Sequence, residues 1–201
     1  MARYTGPKAK RWRRLGQVPA DGSALAVSRR NYPPGQHGLR RGAKLSEYGQ
    51  QLQEKQKAKY TYGLLERQFA NYYRKADKSS GVTGETLMRL LELRLDNVLF
   101  RAGLAASRDQ ARQLVSHGHV RVGGEKVNAP GYQVKSGDEI TLADKYKKTF
   151  TEGQEEDALE SVSPPSWLNL DPKKLVVKVL SEPARTDIDA SINEQLIVAL
   201  S

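Results

Sequence analysis

An α+β fold, with a helical domain first and a domain with a mostly antiparallel sheet packed on helices after it, is predicted by three patterns. Apolar residues recur at helical spacing between Ala43 and Ala76 and again from Leu87 to Leu99. Val120-Arg121-Val122-Gly123-Gly124-Glu125-Lys126-Val127 alternates apolar and polar residues around Gly-Gly, which permits the positive φ angles of a tight hairpin turn. Ile140 to Leu142 and Leu175 to Leu180 are further short runs with strand character.

Taken in order, Met1 to Gly42 holds six Gly and four Pro with scattered charge and no helical stripe, so it is expected to be an extended basic arm that orders on a partner. Leu45, Tyr48 and Leu52 then share one face, and Leu65, Phe69, Tyr72, Tyr73 and Ala76 another, which predicts two helices punctuated by Gly63. Lys55, Lys57, Lys59, Arg67, Arg74 and Lys75 fall outside those stripes and are expected on the outer faces. After Ser79-Ser80-Gly81, Thr83 is placed as the cap of one helix with Leu87, Leu91, Leu95, Val98 and Leu99 inward, Arg94, Asn97 and Arg101 on a polar stripe, and Gly103 at its end. Ser107-Arg108-Asp109-Gln110 is a capping box opening a short helix that buries Ala111, Leu114 and Val115 and stops at Gly118. Arg108 and Arg112, one turn apart, are expected to point outward together.

Strand, turn and strand follow, and Gly137-Asp138 introduces the next strand. The acidic stretch 151–172 contains Ser163-Pro164-Pro165 and is expected to be an insertion crossing the surface until Trp167 and Leu168 anchor it. A second capping box, Ser191-Ile192-Asn193-Glu194, opens an apolar C-terminal helix through Leu196, Ile197, Val198 and Leu200.

Charge narrows the partner. The 201 residues carry 33 Lys plus Arg against 23 Asp plus Glu, a net charge of +10 that favours a polyanion. Residues 1–60 hold 14 basic and 3 acidic side chains, whereas 151–201 hold 4 and 10, so the basic surface lies towards the N-terminus. Cysteine is absent, which excludes disulfides, thiolate metal sites and cysteine nucleophiles. The opening MARYTGPKAK lacks the apolar run of a secretory signal, and no apolar stretch approaches the roughly 20 residues of a membrane span. A soluble, cytoplasmic protein without membrane contact is the expectation.

No phosphate-binding loop motif is present, and His117-Gly118-His119 has only His37 as a further histidine, so neither cofactor nor metal is expected. Two rival classes carry specific features. Arg94-Leu95-Asp96 superficially resembles the catalytic Asp motif of pseudouridine synthases, yet it lies among helical leucines with nothing after it to build a catalytic domain. Leu87 to Gly118 can be drawn as a DNA-binding helix-turn-helix, but basic charge spread over three regions fits a large irregular polyanion better than one duplex site.

Four stretches, Tyr32-Pro33-Pro34-Gly35-Gln36-His37-Gly38, Gln53-Glu54-Lys55-Gln56-Lys57, Arg94-Leu95-Asp96-Asn97 and Ala111 to Val120, together resemble bacterial small-subunit ribosomal protein four. MARYTGPK at the start and Asn193 to Val198 near the end are similar to the same family, so the resemblance spans nearly the whole chain. It implies a basic arm over 1–42, a helical domain over 43–86 completed by 188–201, and an RNA-binding domain over 87–187 that carries a helix-helix-hairpin module. It further implies a non-enzymatic structural protein that binds a multi-helix junction of 16S-type ribosomal RNA (rRNA) early in assembly and contributes to translational accuracy. Neighbouring small-subunit proteins, notably protein five, and messenger RNA (mRNA) are the other implied partners, the last at Arg40, Arg41 and Lys44; a homo-oligomer is not implied. Many relatives carry a metal-binding cysteine cluster in the arm, and none can be carried over to Val18–Tyr32 here.

The rRNA-binding residues expected on these grounds are Arg3, Lys8, Arg11, Arg13, Arg14, Arg29, Arg30, Gln36 and His37 in the arm, and Lys55, Lys57, Lys59, Arg67, Arg74 and Lys75 on the early helices. In the second domain they are Arg94, Asn97, Arg101, Arg108, Arg112, Gln113, Ser116, His117, His119 and Arg121. The physical reason is that side chains cannot read the deep major groove of an RNA duplex, so a junction is recognised by shape, phosphate and 2′-hydroxyl contacts. A planar guanidinium can hold two phosphate oxygens at once, which suits an arginine-rich face to that work. Trp12 and Tyr32 are available to stack on a base or sugar, or in the case of Trp12 to pack on protein.

Overall fold

The computed structural model describes residues 4–18, 24–39, 44–144, 146–147, 164–188 and 191–200. They divide into two compact units, one of Met1–Arg74 with Ser191–Ser201 and the other of Lys75–Ala190.

The first unit corrects the picture of an extended arm. Lys8–Leu15 is a helix (α1), built from good helix formers, with Arg13 and Arg14 at the negative end of its dipole and Gly16 closing it in the left-handed region at φ 66°. Trp12 and Leu15 are buried together with Val27 of a short helix, Ala24–Ser28 (α2). Tyr60, on the long helix Glu47–Thr61 (α3), packs on them, its ring edge-on to Trp12 with centroids 6.4 Å apart. Gln53 Nε2 also donates to the Leu15 carbonyl at 2.8 Å. No apolar stripe marks this helix in the sequence, because its two buried residues find their partners outside it, in Val27 of α2 and Tyr60 of α3.

Ser46 caps α3, its Oγ accepting the Gly49 N–H at 3.2 Å, and Gly63 takes φ 62° before helix Glu66–Asp77 (α4) begins. The C-terminal helix is Glu194–Ala199 (α8), and its cap is Asn193, two residues beyond the expected Ser191. Asn193 Oδ1 accepts from the N–H groups of Gln195 and Leu196, and Ile192 and Ile197 are buried as α8 packs on α3.

In the second unit, the single helix expected from Thr83 to Leu99 is two: α5 (Thr83–Glu92), preceded by Val82 rather than capped by Thr83, and α6 (Leu95–Arg101). Between them Arg94 is extended at φ −73°, ψ 135° and bridges Gln133. The Val134 N–H donates to Leu93 O at 3.0 Å and the Leu95 N–H to Tyr132 O at 2.9 Å, so backbone groups that would continue the helix are taken by a distant segment. Helix α7 (Arg108–Ser116) opens as expected with Ser107 Oγ accepting the Gln110 N–H at 3.3 Å, while Gln110 Oε1 reaches back to the Ala106 N–H at 2.8 Å.

The sheet is antiparallel throughout, in the order β2-β1-β3-β5-β4, with β1 Val120–Val122, β2 Glu125–Val127, β3 Glu139–Leu142, β4 Leu168–Asp171 and β5 Val176–Val179. Gly123 and Gly124 turn the hairpin at φ 57° and 86°. Strand β4 lies where a surface insertion was expected; residues 151–163 of that stretch are outside the described residues. Alternate residues Ile140 and Leu142, Val177 and Val179, and Val120 and Val122 turn inward against Leu95, Val98, Leu99, Ala111, Leu114 and Val115. Each buried Val, Leu or Ile among them contributes about 1.5–3 kcal/mol, and together they fix α6 and α7 against the sheet.

Candidate nucleic-acid interface

The break between α5 and α6 builds the site. It turns Asp96 and Asn97, at the start of α6, towards α7 and leaves Glu92 on the last turn of α5. Asp96 accepts from two arginines: Arg94 through Nε at 3.1 Å and Nη2 at 2.8 Å, and Arg112 through Nε at 3.1 Å and Nη2 at 2.8 Å. Glu92 accepts from Arg101 through Nε at 3.1 Å and Nη2 at 2.8 Å, and from Asn97 Nδ2 at 2.7 Å. Asn97 Oδ1 then accepts from Arg108 Nε at 2.8 Å, and the Arg108 guanidinium lies 4.4 Å over the Phe100 ring.

These carboxylates are interior groups, Glu92 being 0% and Asp96 3% exposed. Ions so placed are stable only when paired and hydrogen-bonded, and bidentate guanidinium contacts meet that condition. Two expectations are corrected as a result. Arg94 and Asn97 do not lie on a polar surface stripe, and Arg112 does not point outward beside Arg108, because Glu92 and Asp96 draw them in. Lys57 is likewise inside the first unit, donating from Nζ to the Ser191 carbonyl. Arg101 keeps 24% of its side chain exposed and Arg108 is half-buried, so these two link the cluster to the surface.

Further polar side chains are exposed at the end of α7 and on the hairpin. Gln113, Ser116 and His117 are exposed at the end of α7, with Ser116 Oγ donating to Arg112 O at 2.8 Å. His117 and His119 have ring centroids 6.0 Å apart, and His119 stacks on Tyr146 at 5.1 Å. Arg121 is exposed on β1, and its partner on β2 is Lys126, also exposed. Lys126 was missed, although its outward position in an alternating strand beside Arg121 was a usable signal. Its side chain runs past Gly118, where φ is +74° and an added Cβ would collide with it. Gln133 was missed as well, since nothing local marks it: its amide is buried without a protein partner, on the residue that bridges Arg94.

The first unit presents a second basic surface. Arg14, Arg29, Arg30, Gln36, His37, Lys44 and Arg67 are exposed, as is Arg74 on α4, and Lys75 follows it at the start of the second unit. Lys8 is half-buried on α1. Arg11 stacks over Tyr4 and Tyr60 at 3.0 and 4.6 Å, and Arg13 lies 4.7 Å over Tyr32 while donating to its carbonyl at 2.9 Å. Trp12, 7% exposed, is protein packing. Lys55 and Lys59 each pair with Glu66 at 2.7 Å, and these bonds, that from Lys55 first, hold the Glu66 carboxyl below its ordinary pKa. Arg3, Arg40 and Arg41 lie outside the described residues. Among the described residues no group of three His, Asp or Glu could hold a metal ion, and no helix is long and apolar enough to cross a membrane.

A helix-helix-hairpin unit with a buried arginine cluster and exposed cations on its hairpin has the character of a nucleic-acid-binding module of the α+β class. Residues 3–92 match the family described as Ribosomal protein S4/S9 N-terminal domain, and residues 93–140 match the S4 domain. The chain is 51% identical over 202 residues to small ribosomal subunit protein uS4 of Porphyromonas gingivalis, an overlap of 100% of this chain and 98% of that protein. It is 52% identical over 200 residues to the uS4 protein of Corynebacterium ammoniagenes, covering 100% and 98%, and 50% identical over 206 residues to that of Heliobacterium modesticaldum, covering 100% and 99%. The chain belongs to the uS4 family of small ribosomal subunit proteins, whose role is structural and not enzymatic.

Proposed function

We propose that this chain recognises a multi-helix junction of 16S-type rRNA and, by binding it early, nucleates assembly of the body of the small subunit. As a uS4 family member it is a structural constituent of the small ribosomal subunit that binds rRNA. The observation that carries the finer reading is that Arg101 and Arg108 are held by hydrogen bonds at the edge of a buried cluster, within a unit that also exposes the cross-strand pair Arg121 and Lys126. Such a unit offers both guanidinium forks held in place and mobile cations, as recognition of an irregular backbone fold requires more than a uniform duplex does. Gln113 and Ser116 towards the C-terminal end of α7, with His117 and His119 after it, add hydrogen-bonding groups.

The basic surface of the first unit, Arg14, Arg29, Arg30, Arg67 and Arg74 above all, supplies further phosphate contacts, while Arg11 and Arg13 are steered by their stacks on tyrosine. Lys44, Arg40 and Arg41 are basic residues that bind mRNA where it enters, and through this and contact with protein five the chain contributes to translational accuracy. It acts as a single copy in the cytoplasmic ribosome. The test is a salt titration of binding to a folded small-subunit rRNA fragment containing the junction, beside a duplex DNA of equal charge. Junction binding that survives excess duplex competitor and weakens steeply with salt is expected; equal affinity for both would reduce the protein to a basic surface without specificity.

A further inference from the structure

We infer that Asp96 and Glu92 are positioning residues for RNA recognition, carboxylates on the RNA-binding unit that raise specific affinity although their charge opposes it. The inference rests on the proposed junction-binding function. A carboxylate near a polyanion site is unfavourable by charge alone, and residues serving only to solubilise the surface would be exposed; these two are interior. Asp96 holds Arg94 and Arg112 through Nε and Nη2 at once, and Glu92 holds Arg101 in the same two-point manner while fixing the Asn97 amide that receives Arg108. A guanidinium gripped along its Nε–Nη2 edge loses its freedom to rotate before RNA arrives, so less entropy is lost on binding. The side chains linked to the two acids come from α6, α7 and the segment between α5 and α6, so the cluster also ties the orientation of the donors to the packing of α6 on α7.

Charge counting and positioning predict opposite signs. Asp96→Asn removes a negative charge, so charge alone would tighten binding to every RNA. Positioning predicts that the full-length variant binds the junction-containing rRNA fragment on the order of tenfold more weakly, as expected for loss of charge-assisted hydrogen bonds, while affinity for a plain RNA duplex stays the same or rises. Arg112→Lys keeps the charge and removes the fork, and it is expected to lose junction affinity in the same selective way. Thermal unfolding establishes that each variant is folded at the assay temperature; should Asp96→Asn fail there, Arg112→Lys and Glu92→Gln decide the matter. Folded variants that bind the junction RNA as well as the parent, or tighter, overturn the inference. A parent protein that does not prefer the junction to the duplex instead overturns the proposed function, so the two failures are distinct.

Discussion

Arg121 on β1 and Lys126 on β2 stand directly opposite one another across the hairpin, both exposed. Like charges at facing positions of an antiparallel pair destabilise the sheet. A pairing that costs the free protein stability is intelligible where an anion is to be bound between the two.

Replacing Arg121 by Thr, which retains strand propensity, therefore separates fold from binding. The thermal midpoint of the free protein should be unchanged or slightly higher. Affinity for junction RNA should fall, and the slope of log K against log salt should shrink by about one phosphate contact. A lowered midpoint with undiminished RNA affinity would assign Arg121 to the sheet and remove it from the interface.

What was legible in the sequence was local. Ser107 with Gln110, Gly118 and the Gly123-Gly124 pair carry their structural instruction within a few residues, and α7 and the hairpin lie where those signals put them. The break at Arg94 was not legible, because its cause is hydrogen bonding to residues 130–134, and neither was α1, whose Trp12 is sheltered by Tyr60. The same distinction runs through the site. Arg121 is outward by simple alternation, but the burial of Arg112 depends on Asp96, 16 positions earlier, and a helical stripe that sorts residues only as apolar or charged treats every arginine as surface.

Glu66 makes a pH prediction for the first unit. Its folded pKa is depressed from 4.5 by the hydrogen bond from Lys55, then that from Lys59. A depressed carboxylate contributes stability that is fully present above its unfolded pKa and is lost as pH falls through the lower folded value. The stability difference between the parent and Glu66→Gln should thus be constant at neutral pH and begin to shrink as pH drops past about 4.5. With 55% of the Glu66 side chain exposed, the difference is small and weakens further in high salt. Paired urea titrations across pH 3 to 7, roughly the range of carboxylate titration, check it; a gap that widens on acidification would contradict the ion-pair account.

Lys57 separates the helical scaffold from the RNA surface. It is 5% exposed, donates to the Ser191 carbonyl before α8, and lies 3.6 Å from Glu54, whose other oxygen accepts the Asn193 N–H at 3.1 Å. The ammonium therefore links α3 to the start of α8 and neutralises a carboxylate that anchors the same turn. Lys57→Met keeps the length and apolar stem of the side chain but removes the charge and the hydrogen bonds. The expected cost is about 1–3 kcal/mol of stability, with α8 amides exchanging faster with solvent than those of α7, since local opening follows the weakened tie. Affinity for junction RNA measured well below the unfolding midpoint should be unchanged, in contrast to the loss expected for Arg121→Thr. If Lys57→Met instead weakened RNA binding while α8 kept its protection, the lysine would have to turn outward in the bound state, and its place would be with the cations of the interface.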